Sequence, residues 1–510
     1  MDDSLKLMLD QLVTADDPTL QNRLRSQITL VQFFAEVHTR ELSSDQFVTL
    51  VYNVLKSASS EWLVPELGHR NQKGSPSAAF SVSNAASEQL YSDLSAALCK
   101  HACVRSLANE EETCEDVGKH PGNRAGVAST AMMVFNYLFS RLSSHSNCTE
   151  QSWHSSNRTV QRVVRTMSYS ALIICLEHEQ GGQWTTAQSV ECGKSLLAAI
   201  CVANGCDTFD SLLNVSDSKF GLLQRVLNEI LPKLTRTTWK LNPAACRVFR
   251  RCMFVTRQPL LSDCLPMLLP PTLLFVDDFE PDNRISGFHC LRHIMQLSSK
   301  TELRWYGRAD VIYESLLRAL SGCDTDVLEY VIPCLFDVLD IVEASPRRAT
   351  SQRSWSKHDD IFVKYITNME IESRLPVRRV YAKHLGTFVS KLGITAVRHL
   401  SQLLRVVGDY LQVNDGPNEQ CRCDILESLS VILSETWPRV PQHADDVMKS
   451  LVRLMVDIRR QSDMMSASAQ VRLQHRVLDC VQLLRKICPE YTELTDDFFS
   501  QVTGVNCQSN

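Results

Sequence analysis

The most regular pattern along the chain is a run of apolar residues at helical spacing between positions 376 and 440. Apolar residues that recur every three or four positions fall on one side of a helix, so the run predicts three consecutive amphipathic helices. Gly393 is expected to end the first, because helices often end at a glycine with a left-handed conformation. The apolar side of this first helix comprises Val377, Val380, Tyr381, Leu385, Phe388 and Leu392.

The second and third predicted helices repeat this arrangement. Asp415-Gly416-Pro417 predicts a turn between them, and Pro417 is expected to open the third helix. Each helix has one apolar side and is unstable alone, so the three must pack against neighbours of the same kind. The second apolar side comprises Val397, Leu400, Leu404, Val407 and Leu411, and the third Cys421, Ile425, Leu429, Ile432 and Leu433.

Comparable apolar helices recur along the second half of the chain. They begin near Asp282, Asp326, Pro376, Asn418 and Ser468. The step of about 40–50 residues is the period of HEAT and armadillo repeats, in which each repeat contributes a helix pair. Glycine is sparse, at 18 residues, and the chain lacks the turn signals of β-hairpins. The sequence therefore predicts an all-α fold, an α-solenoid of HEAT/armadillo-like helical repeats.

Polar segments divide the chain. Inserts at 68–87, 109–126 and 143–158 interrupt the first third, and a basic, serine-rich segment at 344–357 interrupts the repeats. We predict an N-terminal helical region at 1–180 that contains the three inserts, a HEAT-like repeat region at 181–490, and a C-terminal tail at 491–510. Further helical patterns cover residues 47–55, 88–107, 128–142, 160–176, 187–203, 220–231, 243–255, 260–269, 444–459 and 469–487.

Composition narrows the classes of partner. The 510 residues exceed what one conventional core holds, since such cores stop growing at roughly 250–300 residues. The chain has 53 Lys plus Arg and 58 Asp plus Glu, a net charge of −5. A protein of this charge is not held on nucleic acid by electrostatics, so we expect protein partners and no direct nucleic-acid binding.

Cysteine placement indicates a reducing compartment. The chain has 19 cysteines, and many lie inside apolar helical stretches, as at Cys175, Cys201, Cys290, Cys334 and Cys480. Buried reduced thiols fit the cytosol or nucleus better than a disulfide framework does. The acidic start MDDSLKLMLD is unlike a secretory or mitochondrial leader. The most apolar window contains four prolines and is too broken to span a membrane, so we expect no membrane partner.

The sequence gives little support for a metal or catalytic site. His289 and His293 have the spacing of zinc-binding helices, but Cys290 stands where the HExxH motif has its glutamate, and no third ligand is evident. Two packed or solvent-edge histidines are therefore favoured over a metal site, and a metal-dependent enzyme is the minority hypothesis. The chain also lacks a P-loop, a GxGxxG motif and a GxSxG motif. We expect no catalytic residue, cofactor or metal.

The chain resembles the Tel-two-interacting-protein-two (Tti-two) family in two long stretches. They are FVDDFEPDNRISGFHCLRHI, from Phe275, and KLGITAVRHLSQLLRVVGDYLQVNDGPNEQCRCDILESLSVILSETWPRV, from Lys391. Shorter matches are WTTAQSVECGKSLL, from Trp184, and WKLNPA, from Trp239. The resemblance covers roughly residues 180–440, and no motif matches in residues 1–180.

This resemblance implies a subunit of the TTT co-chaperone complex. Such a subunit assembles with a larger HEAT-repeat sister, a Tti-one-like subunit, and with the Tel-two protein. The complex works with the Hsp90 system to mature and stabilise the phosphatidylinositol-3-kinase-related kinases, which serve DNA-damage and growth signalling. The family has no catalytic residues, so the resemblance implies a non-catalytic scaffold that is cytoplasmic or also nuclear.

A generic HEAT-repeat adaptor of nuclear transport or phosphatase assembly is the alternative function. Such an adaptor binds many short peptides weakly and competitively, whereas a scaffold subunit holds fixed large partners. For the scaffold we place the partner surface on the helices from position 378 to 410 and at the turn that closes the third helix. The candidate partner-binding residues are Arg378, Arg379, Arg398, Arg405, Tyr410 and Trp437.

Truncation of the third predicted apolar side tests the helix assignment. Ile425→Ala or Leu429→Ala should lower the free energy of unfolding by roughly 2–5 kcal/mol, because a buried aliphatic side chain leaves a cavity behind. Urea denaturation measures this change. A loss below about 0.5 kcal/mol is typical of a surface substitution and would place the side chain in solvent.

Overall fold

The computed structural model describes residues 11, 29–39, 42–56, 58, 60–63, 84–107, 121–146, 154–214, 221–321, 324–343, 346, 354–460 and 465–491. Within these ranges the regular structure is helical, and no residue is in a β-strand. The prediction of an all-α fold is confirmed. The chain divides into two compact units, unit 1 at Met1–Pro271 and unit 2 at Thr272–Asn510. The predicted division at residue 180 stays a prediction.

Unit 1 is organised around one long helix, α6. Its buried face includes Ala171, Leu172, Ile174 and Cys175, each 0% exposed. The neighbouring helices α4, α7, α9 and α10 pack against it. The described helices of this unit are α1 (Leu30–Thr39), α2 (Ser44–Leu55), α3 (Ser60–Leu63), α4 (Asn84–Ala102), α5 (Pro121–Ser146), α6 (His154–His178), α7 (Ala187–Ala203), α8 (Phe209–Asn214), α9 (Leu222–Ile230), α10 (Pro243–Val255) and the beginning of α11 (Leu260–Val276).

Unit 2 is a stack of helix pairs. In each pair a first helix is followed by a second helix, and the chain then returns to begin the next pair. The first helices are α12 (Pro281–Leu297), α15 (Thr325–Val342), α17 (Leu375–Leu392), α19 (Gln420–Glu435) and α21 (Ala467–Ile487). The second helices are α14 (Arg308–Ala319), α16 (Lys357–Ile371), α18 (Leu400–Leu411) and α20 (Ala444–Arg460), and a short helix, α13 (Lys300–Arg304), precedes α14.

Side-chain contacts show that the first helices lie parallel in one row. Arg292 of α12 pairs with Asp337 of α15 across 45 positions, and Lys391 of α17 binds Asp340 of α15 across 51. The backbone N–H of Gly386 in α17 lies 3.0 Å from Ser428 Oγ of α19, across 42 positions. Lys383 of α17 binds Glu329 near the N-terminal end of α15, and Lys391 binds Asp340 near its C-terminal end, so these two first helices run in the same direction. This is the helix-pair stacking of a HEAT-type α-solenoid.

The second helices form an equivalent row. Lys364 Nζ of α16 donates to the carbonyl of Leu317 in α14 at 2.9 Å. Tyr410 Oη of α18 donates to the carbonyl of Met369 in α16 at 3.2 Å. The predicted starting points of the first helices are confirmed to within two residues, whereas α14 and α16 were not among the predicted helices.

The predicted apolar sides of the first and third helices are confirmed. Every residue named for α17 is at most 5% exposed, and every residue named for α19 is at most 4% exposed. Ile425 is 0% and Leu429 1% exposed. α19, however, begins at Gln420, because Pro417 and Asn418 form a turn and Glu419 has a φ of 49°. The expectation that Pro417 opens this helix is wrong.

The second predicted apolar side is confirmed at Leu400, Val407 and Leu411, which are at most 2% exposed, but it differs at two positions. Gly393 ends α17 with a φ of 57°, but a 3₁₀ helix, Gly393–His399, then precedes α18. A 3₁₀ turn has three residues rather than 3.6, which rotates the side that α18 buries. Leu403 at 0% exposed is in the core in place of Leu404, which is half-buried, as is Val397.

The polar inserts are shorter than predicted. Pro121 is the first residue of α5, a position that suits proline because its missing N–H has no partner there. Residues 121–126 and 143–146 therefore belong to this helix, 154–158 to α6 and 84–87 to α4. The other residues of the three inserts, most of the segment at 344–357, and the tail after Tyr491 lie outside the described residues.

Burial of the thiols agrees with the sequence. Cys175, Cys201, Cys290, Cys334 and Cys480 are buried and free, and the other described cysteines are also free thiols. Along the described ranges, no helix combines the length and the apolar character needed to cross a bilayer. α11 continues to Val276, beyond the predicted end at residue 269, and contains Pro266, Pro270 and Pro271.

A close helix crossing in unit 2 is testable at a glycine. A Cβ added to the buried Gly287 of α12 would lie 2.6 Å from the backbone nitrogen of Val276. Backbone cannot move aside cheaply, so Gly287→Ala should lower the free energy of unfolding by about 1–3 kcal/mol. Gly126 of α5 is the control, since nothing lies within 4 Å of its added Cβ. Gly126→Ala should be neutral or stabilising by up to about 1 kcal/mol.

Hydrogen exchange in the helix that carries each substitution measures both effects separately. Equal protection factors in wild type and Gly287→Ala would contradict the close crossing.

Candidate protein-interaction surface

The parallel rows give unit 2 two edges of different character. Each first helix is joined to its second helix by a connector, and these connectors lie together at the C-terminal ends of the first helices. Their described residues are 298–307, 343, 346, 354–356, 393–399 and 436–443. We call the surface formed by these residues the tryptophan edge. The segments that return the chain to the next pair form the return edge, whose described residues are 320–321, 324, 372–374, 412–419 and 465–466.

Large aromatic side chains are exposed on the tryptophan edge. Trp305 is 60% exposed, Tyr306 88%, Trp355 57% and Trp437 61%. They occupy the first, second and fourth connectors. Two tryptophans of unit 1 differ from them, since Trp184 is 9% and Trp239 6% exposed and both are part of its core. Exposed tryptophan and tyrosine are typical of protein-binding surfaces.

The first connector presents its aromatic pair on an unusual backbone. Tyr306 has a φ of 56° and Gly307 a φ of 67°. A left-handed conformation is costly for a residue with a Cβ. Tyr306 adopts it between α13 and α14, and the guanidinium carbon of Arg308 lies 5.3 Å from the centre of its ring. The strained turn holds Tyr306 outside the packed layer.

Asp359 ties the second connector to the third. It is 1% exposed, and its carboxylate accepts from the backbone N–H of Ser356 at 3.0 Å, which caps α16. The other carboxylate oxygen lies 3.0 Å from His399 Nε2, and Arg398 Nη1 donates to the first at 3.1 Å. Trp355 lies edge-on to His399, with ring centres 5.6 Å apart. Residues 355 and 356 of the second connector are therefore held against Arg398 and His399 of the third.

Electrostatics around Asp359 favour its charged form. Burial raises the pKa of this carboxyl, but the hydrogen bonds from His399 and Ser356 and the charge of Arg398 outweigh burial and bring the pKa below its usual value. Since the folded pKa is below the unfolded one, the carboxylate stabilises unit 2 above the unfolded pKa of about 3.8. That contribution is lost as the pH falls through the folded pKa.

A small cavity lies between the first two connectors. Its volume is about 190 Å³, and Arg304, Ala309, Asp310, Val342, Glu343 and Lys357 line it. Lys357 Nζ binds Asp310 Oδ1 at 2.7 Å and lies 4.9 Å from the centre of the Tyr313 ring. Lys357 and Asp310 pair with each other, and Arg304 and Glu343 contribute one further charge of each sign, so the cavity itself has no strong preference for an ion of either sign.

The six predicted partner residues fall in three different places. Arg398 and Trp437 lie on the tryptophan edge. Arg405 is on the second-helix row, where Nη2 binds Glu370 Oε1 at 2.6 Å and the side chain is 61% exposed. Partner binding by these three residues stays a prediction. The remaining three, Arg378, Arg379 and Tyr410, lie near the return edge.

Arg378 and Tyr410 are buried, so the expectation that both lie on an exposed surface is wrong. Arg378 is 9% and Tyr410 1% exposed, and the guanidinium carbon lies 3.7 Å from the centre of the tyrosine ring. Arg378 also donates to the carbonyls of Glu372 and Asp409. Burial raises the pKa of the Tyr410 hydroxyl well above its usual value. This cation–π pair joins α17 to α18 and is structural.

Arg379 holds a return segment in place. Nε donates to Asp415 Oδ1 and Nη2 to the Asp415 carbonyl, both at 2.7 Å. Asp415 is 3% exposed, and its other oxygen accepts from the N–H of Cys421 at the start of α19. Partner binding by Arg379, whose side chain is 47% exposed, also stays a prediction.

Three exposed residues of the surface were not predicted from the sequence. Trp305, Tyr306 and Trp355 lie outside the stretch on which the repeat was first recognised. A signal was available, because every tryptophan after position 272 falls between apolar helical patterns rather than inside one. His289 is exposed, and its ring centre lies 4.7 Å from that of Tyr330, which agrees with the favoured interpretation of a packed or solvent-edge histidine. Within the described part of the chain, no cluster of three or more His, Cys, Asp or Glu side chains is placed to bind a metal ion.

Comparison with known proteins identifies the family of this chain. The mouse protein named TELO2-interacting protein 2 is 30% identical over 383 residues, which cover 75% of this chain and 73% of that protein. The chain belongs to the Tti2 family. The sequence model of the Tti2 family matches residues 222–417, a range that contains the first three connectors of the tryptophan edge. The predicted resemblance is confirmed.

Other members of the Tti2 family match over a smaller share. Human TELO2-interacting protein 2 is 33% identical over 314 residues, 61% of this chain and 62% of that protein. The rat protein of the same name is 32% identical over 323 residues, and the match covers 63% of each chain. These matches span less than two thirds of the human and rat proteins.

Among solved structures, Kap121p bound to RanGTP is similar at a TM-score of 0.46 and 13% identity, over 98% of this chain and 47% of that one. A TM-score below 0.5 supports no argument about function.

Removal of Arg379 and of Arg405 should separate a structural arginine from a surface one. Arg379→Ala leaves the buried Asp415 carboxylate without its charged partner, so the free energy of unfolding should fall by about 1–3 kcal/mol. Arg405→Ala removes an exposed pair and should cost less than about 1 kcal/mol. Urea denaturation measures both. Equal losses in the two variants would show that the Arg379 pair does not hold the return segment.

Proposed function

We propose that this protein is a non-catalytic scaffold subunit that holds protein partners. Its membership of a family whose mouse, human and rat members are named for an interaction with TELO2 is the observation that carries the proposal. We therefore infer that a TELO2 protein is one partner of this chain.

The architecture supports a scaffold. A stack of helix pairs offers long rows of helix faces and connectors, and it needs no folding transition to present them. Obligate partners typically share more than ~2,000 Å² of surface, which such rows can supply. The entropic cost of association is low for a surface whose side chains are already fixed, as Trp355 and Arg398 are.

The finer function follows from the family resemblance. We propose that the chain is a subunit of a TTT-type complex, together with a Tti-one-like HEAT-repeat subunit and the Tel-two protein. In that complex it works with the Hsp90 system in the maturation and stability of phosphatidylinositol-3-kinase-related kinases. We propose a cytoplasmic location with a second population in the nucleus, which the free buried thiols support.

Affinity purification of the tagged chain from its own cells tests the scaffold. A TELO2 protein and a larger HEAT-repeat protein should co-elute in amounts equal to the bait, because a subunit holds fixed partners. Depletion of the chain should lower the abundance of the phosphatidylinositol-3-kinase-related kinases, measured by quantitative immunoblotting.

An unrelated helical-repeat protein of similar size, tagged in the same way, is the control. Recovery of many partners in small, variable amounts would instead favour a peptide adaptor. Recovery of neither fixed partner would overturn the scaffold.

A further inference from the structure

We propose that the tryptophan edge of unit 2 is the docking surface for an acidic segment of a partner protein. Trp305, Trp355 and Trp437 would receive apolar side chains of that segment, and the basic residues of the connectors its carboxylates. The proposal rests on the proposed function, since it assigns a surface and a partner chemistry to the scaffold.

The aromatic side chains give the first argument. Unit 2 contains three tryptophans, and all three lie on this edge at 57–61% exposure. Exposure of so much apolar surface in one row is unfavourable in water, and it is typical of surfaces that another protein covers. Tryptophan is also the side chain most often found to dominate binding energy at such surfaces.

The net charge of the tryptophan edge indicates the chemical class of the partner. The described residues of the tryptophan edge contain four Lys or Arg and two Glu, a net charge of +2 in a chain whose total is −5. Arg347, Arg348 and Arg353 lie outside the described residues and are not counted. The described residues of the return edge contain one Arg and four Asp or Glu, a net charge of −3, and no aromatic residue. The excess of positive charge is therefore specific to the edge that carries the tryptophans, and it favours an acidic partner.

Several of these cations have no acidic partner among the described residues. Lys300 Nζ donates to the carbonyl of Asp340 at 2.9 Å, Arg304 Nε to that of Ile341 at 2.5 Å, and Arg439 Nη1 to Gln442 Oε1 at 3.2 Å. Neutral acceptors leave the positive charges uncompensated. By contrast, Arg374 on the return edge and Arg379 of α17 beside it are each paired with a carboxylate.

Spacing sets the length of the segment that would bind. Neighbouring packed helices lie about 8–10 Å apart. Trp305 and Trp437 belong to the first and fourth connectors, three steps apart, so they are separated by roughly 25–30 Å. An extended chain rises about 3.3 Å per residue, and a segment of about eight or nine residues therefore reaches from one to the other.

Site-specific photo-crosslinking identifies the occupant. Tyr306, at 88% exposure, is replaced by p-benzoylphenylalanine in the tagged full chain, and the complex recovered from cells is irradiated and digested. The crosslinked peptide should come from a co-purifying protein and be rich in Asp and Glu. Crosslinks to residues 492–510 of this chain, or to a second copy of it, would overturn the proposal and assign the edge to self-contact. A basic or uncharged partner peptide would also overturn it.

Substitutions measure the contribution of the edge. Trp305→Ala/Trp437→Ala and Arg304→Glu/Arg439→Glu should each reduce recovery of the crosslinked partner about tenfold or more, whereas Arg304→Lys/Arg439→Lys should retain it because the charges remain. Recovery should also fall as the salt concentration rises. Ile371→Ala/Arg453→Glu is the matched control. It removes one exposed apolar side chain and reverses one exposed charge away from this edge, and should change recovery less than about twofold.

The two proposals fail differently. If the wild-type chain recovers no fixed partner, the scaffold function is wrong. If the wild type recovers its partners and both edge variants recover them equally well, with melting temperatures unchanged, only the docking surface is wrong.

Discussion

The fold of unit 2 depends on one interaction, the burial of the apolar side of each helix against the neighbouring helices. A single helix cannot bury residues such as Leu385 of α17 and Leu429 of α19. Each pair is therefore stable only when neighbouring pairs cover these side chains. Because each pair packs on the next, contacts between neighbouring first helices join residues that are 42–51 positions apart. Once the rows are formed, the connectors are placed along two edges by the ends of the helices that they join.

Much of this could be predicted from the sequence, because burial leaves a periodic signal. The apolar sides of α17 and α19, and the beginnings of the first helices, follow directly from that signal. For α18 the prediction holds at Leu400, Val407 and Leu411 but is wrong at Val397 and Leu404, since nothing in GITAVRH distinguishes a 3₁₀ turn from an α-helical one. α14 and α16 carry their own apolar spacing, through Ile312 and Leu316 and through Ile361 and Tyr365, and were overlooked rather than hidden.

The candidate surface was less predictable for a physical reason. An arginine next to the apolar side of a helix can be solvated, as Arg405 is, or packed over a buried aromatic ring, as Arg378 is. The sequence pattern around the arginine is the same in both cases. Which of these occurs depends on the neighbouring helix, here on Tyr410 and the carbonyl of Asp409. Exposed aromatic residues between helices leave no periodic signal either, so Trp305 and Trp355 are recognised only when the connectors are brought to one edge.

The opposite charges of the two edges also give unit 2 an electrical polarity. The described connectors carry a net charge of +2 on one edge and −3 on the other, so they contribute a dipole moment across the rows. Helix dipoles do not add to it greatly, because first and second helices of a pair run in opposite directions. Such a moment exerts a torque on the molecule in the field of an approaching charged protein. A negatively charged body would thus meet unit 2 already turned toward its aromatic side, which shortens the orientational search before contact.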